Sequence, residues 1–284
     1  MIFGPGRAPA RTGETVPIMR RSVSCTLEAA VAHPTDVALS VAVALGPTVA
    51  EERLTVMLDG EPLVAREVVD DHGTRVHLVD AIGPGRLTVE YGATVLGHTA
   101  SVPVQAIDAT RYRRASRYCE SDRIGAFARA EFRELEGLGL LEGVSSWVGQ
   151  RVAYVAGSSR PTDGAVSTLL SREGVCRDFA HLVVALLRAC DVPARVASVY
   201  APGLQPMDFH AVAEALIDDR WLVTDATCLA PRGALVRIAT GRDAADTAFL
   251  TTTGSSVELT ALEVSATTDL DLPADDLTQP AQLR

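Results

Sequence analysis

Residues 175–190 constrain the fold more than any other stretch of this chain. Val175, Phe179, Leu182, Val183, Leu186, Leu187 and Cys190 fall on one stripe at helical spacing. The spacing predicts a helix buried along that face. Asp191-Val192-Pro193 stops it, because the residue before a proline is pushed out of the helical region. Cys190 lies on the apolar stripe and reads as core. Cys176 sits in the first turn, just after Gly174, where free backbone N–H groups and the positive end of the helix dipole favour an anion. A cysteine at a helix start is, taken alone, more often structural than reactive.

The front of the chain keeps a period of two. Val37, Leu39, Val41, Val43 and Leu45 alternate with small residues, as do Leu54, Val56 and Leu58 before the hairpin signal Asp59-Gly60. Val76 and Leu78, then Leu87, Val89 and Tyr91, continue the pattern around Gly83-Pro84-Gly85. These runs predict a small antiparallel β-sandwich over residues 21–107, preceded by a flexible leader at 1–20 that is rich in Gly, Pro, Thr and Arg. From residue 108 the character changes. Ser121 is placed to cap a helix running to about residue 135, and a second helix is expected over 141–156, with a break at Gly137 to Gly139. Residues 157–164 have the composition of a loop. Strands are expected near 195–200, 207–217 and 220–226. The α+β region is drawn over 108–262, with a loose acidic tail over 263–284.

Bulk properties remove several function classes. The chain has 284 residues, 47 % of them hydrophobic and 22 % charged, which is a globular composition. A net charge of −10 argues against general nucleic-acid binding and against docking on anionic lipid. The five cysteines, Cys25, Cys119, Cys176, Cys190 and Cys228, are scattered and form no CxxC pair. That disfavours a zinc cage or a secreted disulfide framework. The N-terminal arginines precede no apolar signal segment, and the longest apolar run, at 37–45, is too short to span a bilayer. A reducing, cytoplasmic location is expected. The chain contains no lysine and no asparagine. No third member of a catalytic triad can therefore be Asn, and the chain cannot offer a lysine of its own as an amine acceptor.

A thiol nucleophile needs a base, and six histidines compete for the role. His33, His72, His77 and His98 lie in the sandwich region and read as surface or loop residues. His181 is five residues beyond Cys176, about 140° around the helix, and points away from the sulfur; it reads as a packing or hydrogen-bonding residue. His210 begins an alternating run, His210-Ala-Val-Ala-Glu214, that turns at Asp218-Asp219 into Trp221-Leu-Val-Thr-Asp225. A two-residue turn there pairs Val212 with Asp225. It leaves His210 and Asp225 on one face as diagonal neighbours, roughly 7–8 Å apart at the backbone. An imidazole and a carboxylate can meet across that gap. The bland alternative is an ordinary amphipathic hairpin.

Taken together, these segments show a likeness. Thr168-Leu-Leu-Ser-Arg-Glu-Gly-Val-Cys-Arg-Asp-Phe-Ala-His181 resembles the nucleophile motif of the bacterial transglutaminase-like superfamily. Val192-Pro193-Ala194-Arg195, His210 to Glu214 and Trp221 to Thr227 resemble its following motifs, and the likeness covers about residues 110–250. The resemblance implies an α+β core, with helices packed on an antiparallel sheet behind an N-terminal β-sandwich. It implies Cys176, His210 and Asp225 as catalytic triad. Two departures stand out: Val212 where the family commonly has an aromatic residue, and Asp225-Ala226-Thr227 where it commonly has Asp-Pro-Thr. Glu214 and Arg177 read as ion-pair or surface residues, with an aid to Cys176 ionisation as the alternative for Arg177. Residues 241–246 read as a rim or structural loop.

The implied chemistry is acyl transfer through a Cys176 thioester, with His210 moving the proton and the Cys176 backbone N–H facing the oxyanion. No cofactor and no metal is called for. The expected partner is a peptide or protein substrate, hydrolysed at a peptide, isopeptide or other amide bond. The alternatives are protein-glutamine transamidation and a catalytically silent binding module of the same fold. No second oxyanion donor is evident, since the spacing of Gln150 does not suit the role.

Overall fold

A computed structural model describes residues 18–284. Residues 1–17 of the expected leader lie outside the described residues, and Arg20 already opens the first strand. Seven strands come first: β1 (Arg20–Val31), β2 (Thr35–Leu39), β3 (Thr48–Leu58), β4 (Glu61–Pro62), β5 (Arg66–Val69), β6 (Arg75–Ile82) and β7 (Gly85–Leu96). The next part is mainly helical: α1 (Asp108–Arg111), α2 (Gly125–Glu131), α3 (Gly137–Arg151), β8 (Ala153–Tyr154), α4 (Ala165–Ser171), β9 (Glu173–Gly174) and α5 (Cys176–Ala189). Then follow β10 (Ala194–Tyr200), β11 (His210–Ile217), β12 (Arg220–Thr224), β13 (Val236–Gly241), α6 (Ala244–Thr247), β14 (Leu250–Thr253) and β15 (Val257–Thr268).

The sandwich forms because period-two strands give each sheet one apolar face. Val23, Cys25, Leu27, Ala29 and Val31 of β1 and Leu87, Val89, Tyr91, Ala93 and Val95 of β7 are all buried. One antiparallel sheet runs β15-β1-β7-β3-β4 and the other β14-β2-β6-β5. One edge strand of each sheet, β15 in the first and β14 in the second, comes from the far end of the chain, so the α+β region is inserted into the sandwich between β7 and β14. This differs from the expected tail at 263–284. β15 pairs along β1 from Arg21↔Thr268 to Val31↔Val257 and crosses that boundary. It reads as a tail because most of its side chains are exposed, as suits an edge strand; its threonines and valines still favour an extended backbone. Farther on, Val223 bridges to Ala281 and Leu283 is buried.

The alternating run at 37–45 also departs from expectation, because β2 ends at Leu39. Residues 40–44 are buried throughout and leave the sheet to join the inserted part: Ser40 N–H bonds the Phe249 carbonyl, Ala44 N–H the Arg237 carbonyl, and the Tyr200 hydroxyl the Val41 carbonyl at 2.8 Å. His72 and His77 are buried, not surface residues. His72 takes the Tyr112 hydroxyl at 2.7 Å, and His77 faces Glu67 at 3.2 Å.

The inserted part has helices on one face of a four-stranded antiparallel sheet, order β12-β11-β10-β13. Every α5 residue from Asp178 to Ala189 is buried. Its apolar stripe packs with Val144 and Val148 of α3, Ala165 of α4 and the Ala213 and Ala215 side chains of β11. Cys190 is half-buried at the edge of that cluster. Asp218 and Asp219 both have positive φ, 48° and 55°, the geometry of a tight type I′ hairpin turn, and Ile217 faces Arg220 across it. Glu214, fully buried, takes Arg195 at 2.8 Å and Arg237 at 2.7 Å and so ties β10, β11 and β13 together. Burial opposes its charge, but the two guanidiniums hold the carboxyl below its usual range.

The connecting helices are where local propensity misleads. Ser121 is buried and caps nothing, and α2 starts four residues later. Helix α3 begins on Gly137, at φ 53°, so the expected break falls just before the glycines. It ends at Arg151, ahead of a short strand. Helix α4, unforeseen, ends on Arg172 in the left-handed region at φ 62°.

Candidate active site

Helix α5 starts at Cys176 because Asp178 folds back on it. The Asp178 carboxylate accepts the Val175 N–H at 2.8 Å and the Ser159 hydroxyl at 3.0 Å, taking the acid's place in a capping box whose N-cap is apolar. Gly174 is required for this. A Cβ there would lie 2.6 Å from the Asp178 Cβ. Arg177 turns the other way and donates to the Ser159 hydroxyl at 2.5 Å and the Arg160 carbonyl at 2.8 Å, so it pins the 157–164 loop. Cys176 itself is half-buried, its sulfur 4.0 Å from the Phe209 carbonyl at the entry to β11.

His210 is the first residue of β11 and is 1 % exposed. Its Nε2 lies 2.8 Å from Asp225 Oδ2; a carboxylate only accepts, so Nε2 carries the proton in this bond. The other carboxylate oxygen accepts the Thr227 N–H at 2.9 Å and the Thr227 hydroxyl at 2.7 Å. Asp225 is thus fixed from behind, and the change from Pro to Ala226 leaves that hold intact. Nδ1 has no well-formed partner and is the nitrogen left for the Cys176 thiol. Burial alone would strip charge from the ring. The hydrogen bond that the ring donates to Asp225, together with the influence of the neighbouring Cys176 and the charges of both groups, outweighs it and raises the His210 pKa from 6.5 to about 10. The ring therefore favours its charged form. Val212, the second departure, is buried on the far face of the sheet with Val199 and Leu235.

The structure thus brings together all three residues singled out from sequence. Residues 137–226, which contain all three, match the family described as Transglutaminase-like superfamily. A candidate cysteine protease from Cytophaga hutchinsonii shares 31 % identity over 94 % of this chain and 96 % of its own, with a TM-score of 0.83. This chain belongs to the transglutaminase-like superfamily. The superfamily and that neighbour make it a member of a cysteine-based enzyme family. A more distant likeness is to the periplasmic domain of TgpA from Pseudomonas aeruginosa, 18 % identical over 74 % of this chain and 90 % of that one, TM-score 0.41. No curated protein matches the chain.

Three residues near Cys176, His210 and Asp225 escaped the sequence. Thr227 could have been found from the Asx-type turn that Asp225 makes with the residue two on. Tyr154 falls in a helix by the periodicity, yet Val152-Ala153-Tyr154-Val155 is a β-branched and aromatic run that favours a strand. Asp208, two residues before His210, has a carboxyl pushed up by burial. His181 behaves as expected: fully buried, stacked on Tyr118 at 5.3 Å, it accepts the Ala244 N–H at 3.1 Å. Residues 241–246 are structural, with Asp243 capping α6 and Arg242 paired to Asp246. Gln150 bonds Ser146 and is exposed. Among the described residues no group of three or more His, Cys, Asp or Glu side chains is arranged for a metal ion.

Proposed function

We propose that this protein is a thiol acyl-transfer enzyme that hydrolyses a peptide, isopeptide or other amide bond. The observation that carries the reading is the His210 ring, bonded on one side to a buried carboxylate and facing a helix-start thiol on the other. His210 takes the Cys176 proton, and the sulfur adds to the amide carbonyl. The C–N bond then breaks as His210 returns the proton to the departing amine. Water, losing its proton to the same ring, cleaves the thioester and releases the acid. Hydrolysis rather than crosslinking is supported by the 31 %-identical neighbour, named as a candidate cysteine protease. The five free thiols support a reducing, cytoplasmic setting.

The test is alkylation with iodoacetamide. Cys176 should react fastest, ahead of Cys25, Cys119 and Cys228, and His210→Ala should remove that advantage. Slow, uniform labelling would mean a binding module. Added primary amine that diverts the acyl group from water would turn the assignment to transamidation.

A further inference from the structure

Asp225 lies just past β12, where the sheet no longer fixes the backbone, since the β11–β12 ladder ends at the pair Ala213↔Thr224. The bonds that its carboxylate accepts from Thr227 lie within one turn. They set the shape of that turn but not where it sits against His210. Helix α3 touches the chain on both sides of the acid. The Thr224 hydroxyl donates to the Ser145 hydroxyl at 2.7 Å. One helical turn on, Gly149 lies so close to the Ala226 carbonyl that a Cβ there would stand 2.6 Å from its oxygen. Ser145 and Gly149, four residues apart, share one face of α3. The neighbouring face, through Val144 and Val148, packs on the stripe of α5, the helix that begins at Cys176. A cavity of about 480 Å³ opens between α3 and residues 223–228, which leaves the acid's turn room to shift.

We propose that α3 is a strut between the nucleophile helix and the triad acid, with Ser145 and Gly149 as positioning residues for Asp225. They hold the backbone at 224 and 226, so that the carboxylate between them meets the His210 ring at 2.8 Å. Position 149 requires glycine because a side chain there would push the Ala226 carbonyl away, and Asp225 with it. A displacement of about 1 Å in a catalytic group is enough to cost about 10²-fold in rate. The assignment rests on the acyl-transfer reading above and adds to it the element that sets the triad's geometry.

The test uses the full chain with p-nitrophenyl acetate as acyl donor and, separately, NMR titration of His210. Gly149→Ala adds one methyl group and brings in a stronger helix former, so α3 itself should stay intact by circular dichroism. Its kcat should fall about 10²-fold while KM stays within about twofold of wild type. The His210 pKa should move from about 10 toward 6.5, which a loss of packing alone would not produce. Gly139→Ala, on the same helix where a Cβ meets nothing within 4 Å, should keep wild-type kcat and pKa. Ser145→Ala adds no bulk and should lower kcat about 10-fold, with a smaller pKa shift of the same sign. It decides the matter if Gly149→Ala does not fold. Wild-type kcat in folded Gly149→Ala overturns the proposal, as does a loss of kcat with the His210 pKa unmoved. Wild-type behaviour of Ser145→Ala overturns it too, and so does an equal loss in Gly139→Ala. Cys176→Ala keeps this apart from the underlying reading. Ester turnover that survives there removes the acyl-transfer reading, whereas the His210 titration needs no turnover and still judges the strut.

Discussion

His210 and His181 are equally buried, at 1 % and 0 % exposure, yet they end in opposite charge states. His210 is lifted to about 10; His181 is lowered to about 3. Burial penalises the imidazolium in both places. What differs is the partner at Nε2. The Asp225 carboxylate accepts a hydrogen bond from the His210 ring N–H, which favours the charged ring, whereas the Ala244 N–H donates to His181 and demands a bare nitrogen. Asp243 pulls His181 upward, and Arg177 and Arg188 help to cancel it. Depth of burial thus says little about a histidine's role, and the direction of one hydrogen bond says a great deal.

The largest expected break of this contrast is Asp225→Asn. The variant keeps the shape but removes the acceptor charge, and kcat on an ester substrate should drop about 10⁴-fold, as for a triad whose acid becomes an amide. NMR titration should find the His210 pKa well below its present value of about 10. A ring still raised would mean that Cys176 alone sustains it. Thr227→Val is the gentler probe. It keeps the Asp225 charge and its backbone bond but loses the 2.7 Å hydroxyl contact, so a loss of about 10- to 100-fold is expected, as for groups that orient a ligand from behind. An effect as large as that of Asp225→Asn would mean that orientation matters more than charge.

His181→Phe should act on stability instead. It preserves the stack on Tyr118 but strands the Ala244 N–H, at a cost of about 1–3 kcal/mol by denaturant unfolding, with Cys176 alkylation unchanged. Its pH dependence sharpens the comparison. His181 folds neutral, so its contribution is full above the unfolded pKa of 6.5 and is lost as pH falls toward 3. His210 folds charged, so its contribution is full below 6.5 and is lost as pH rises toward 10. Unfolding midpoints should therefore flatten on the acid side in His181→Phe and on the alkaline side in His210→Gln. Identical profiles in both variants would refute the opposed states.

Much of the candidate site is legible in the sequence because its parts are local. The α5 stripe encodes its own burial, and Asp218-Asp219 sets a turn whose register puts His210 and Asp225 on one face. What was not legible depends on distant pairing. Nothing around Val257 to Thr268 announces a partner near the N-terminus, since an edge strand has one wet face and little alternation. Tyr154 comes near Cys176 only once β9 lies beside it, and Ser121 loses its capping role because it is buried elsewhere.

By itself, the amino-acid order determined the helix that begins at Cys176, the hairpin that aligns a histidine with an acid, and the order of the three residues along the chain. Those follow from backbone preferences and side-chain period, which act over a few residues. Only the tertiary structure decided that the sulfur meets the ring, which histidine holds charge, and that the chain's far strands close the sandwich. Desolvation and Coulomb energy depend on neighbours in space, and folding chooses those from segments far apart in the chain.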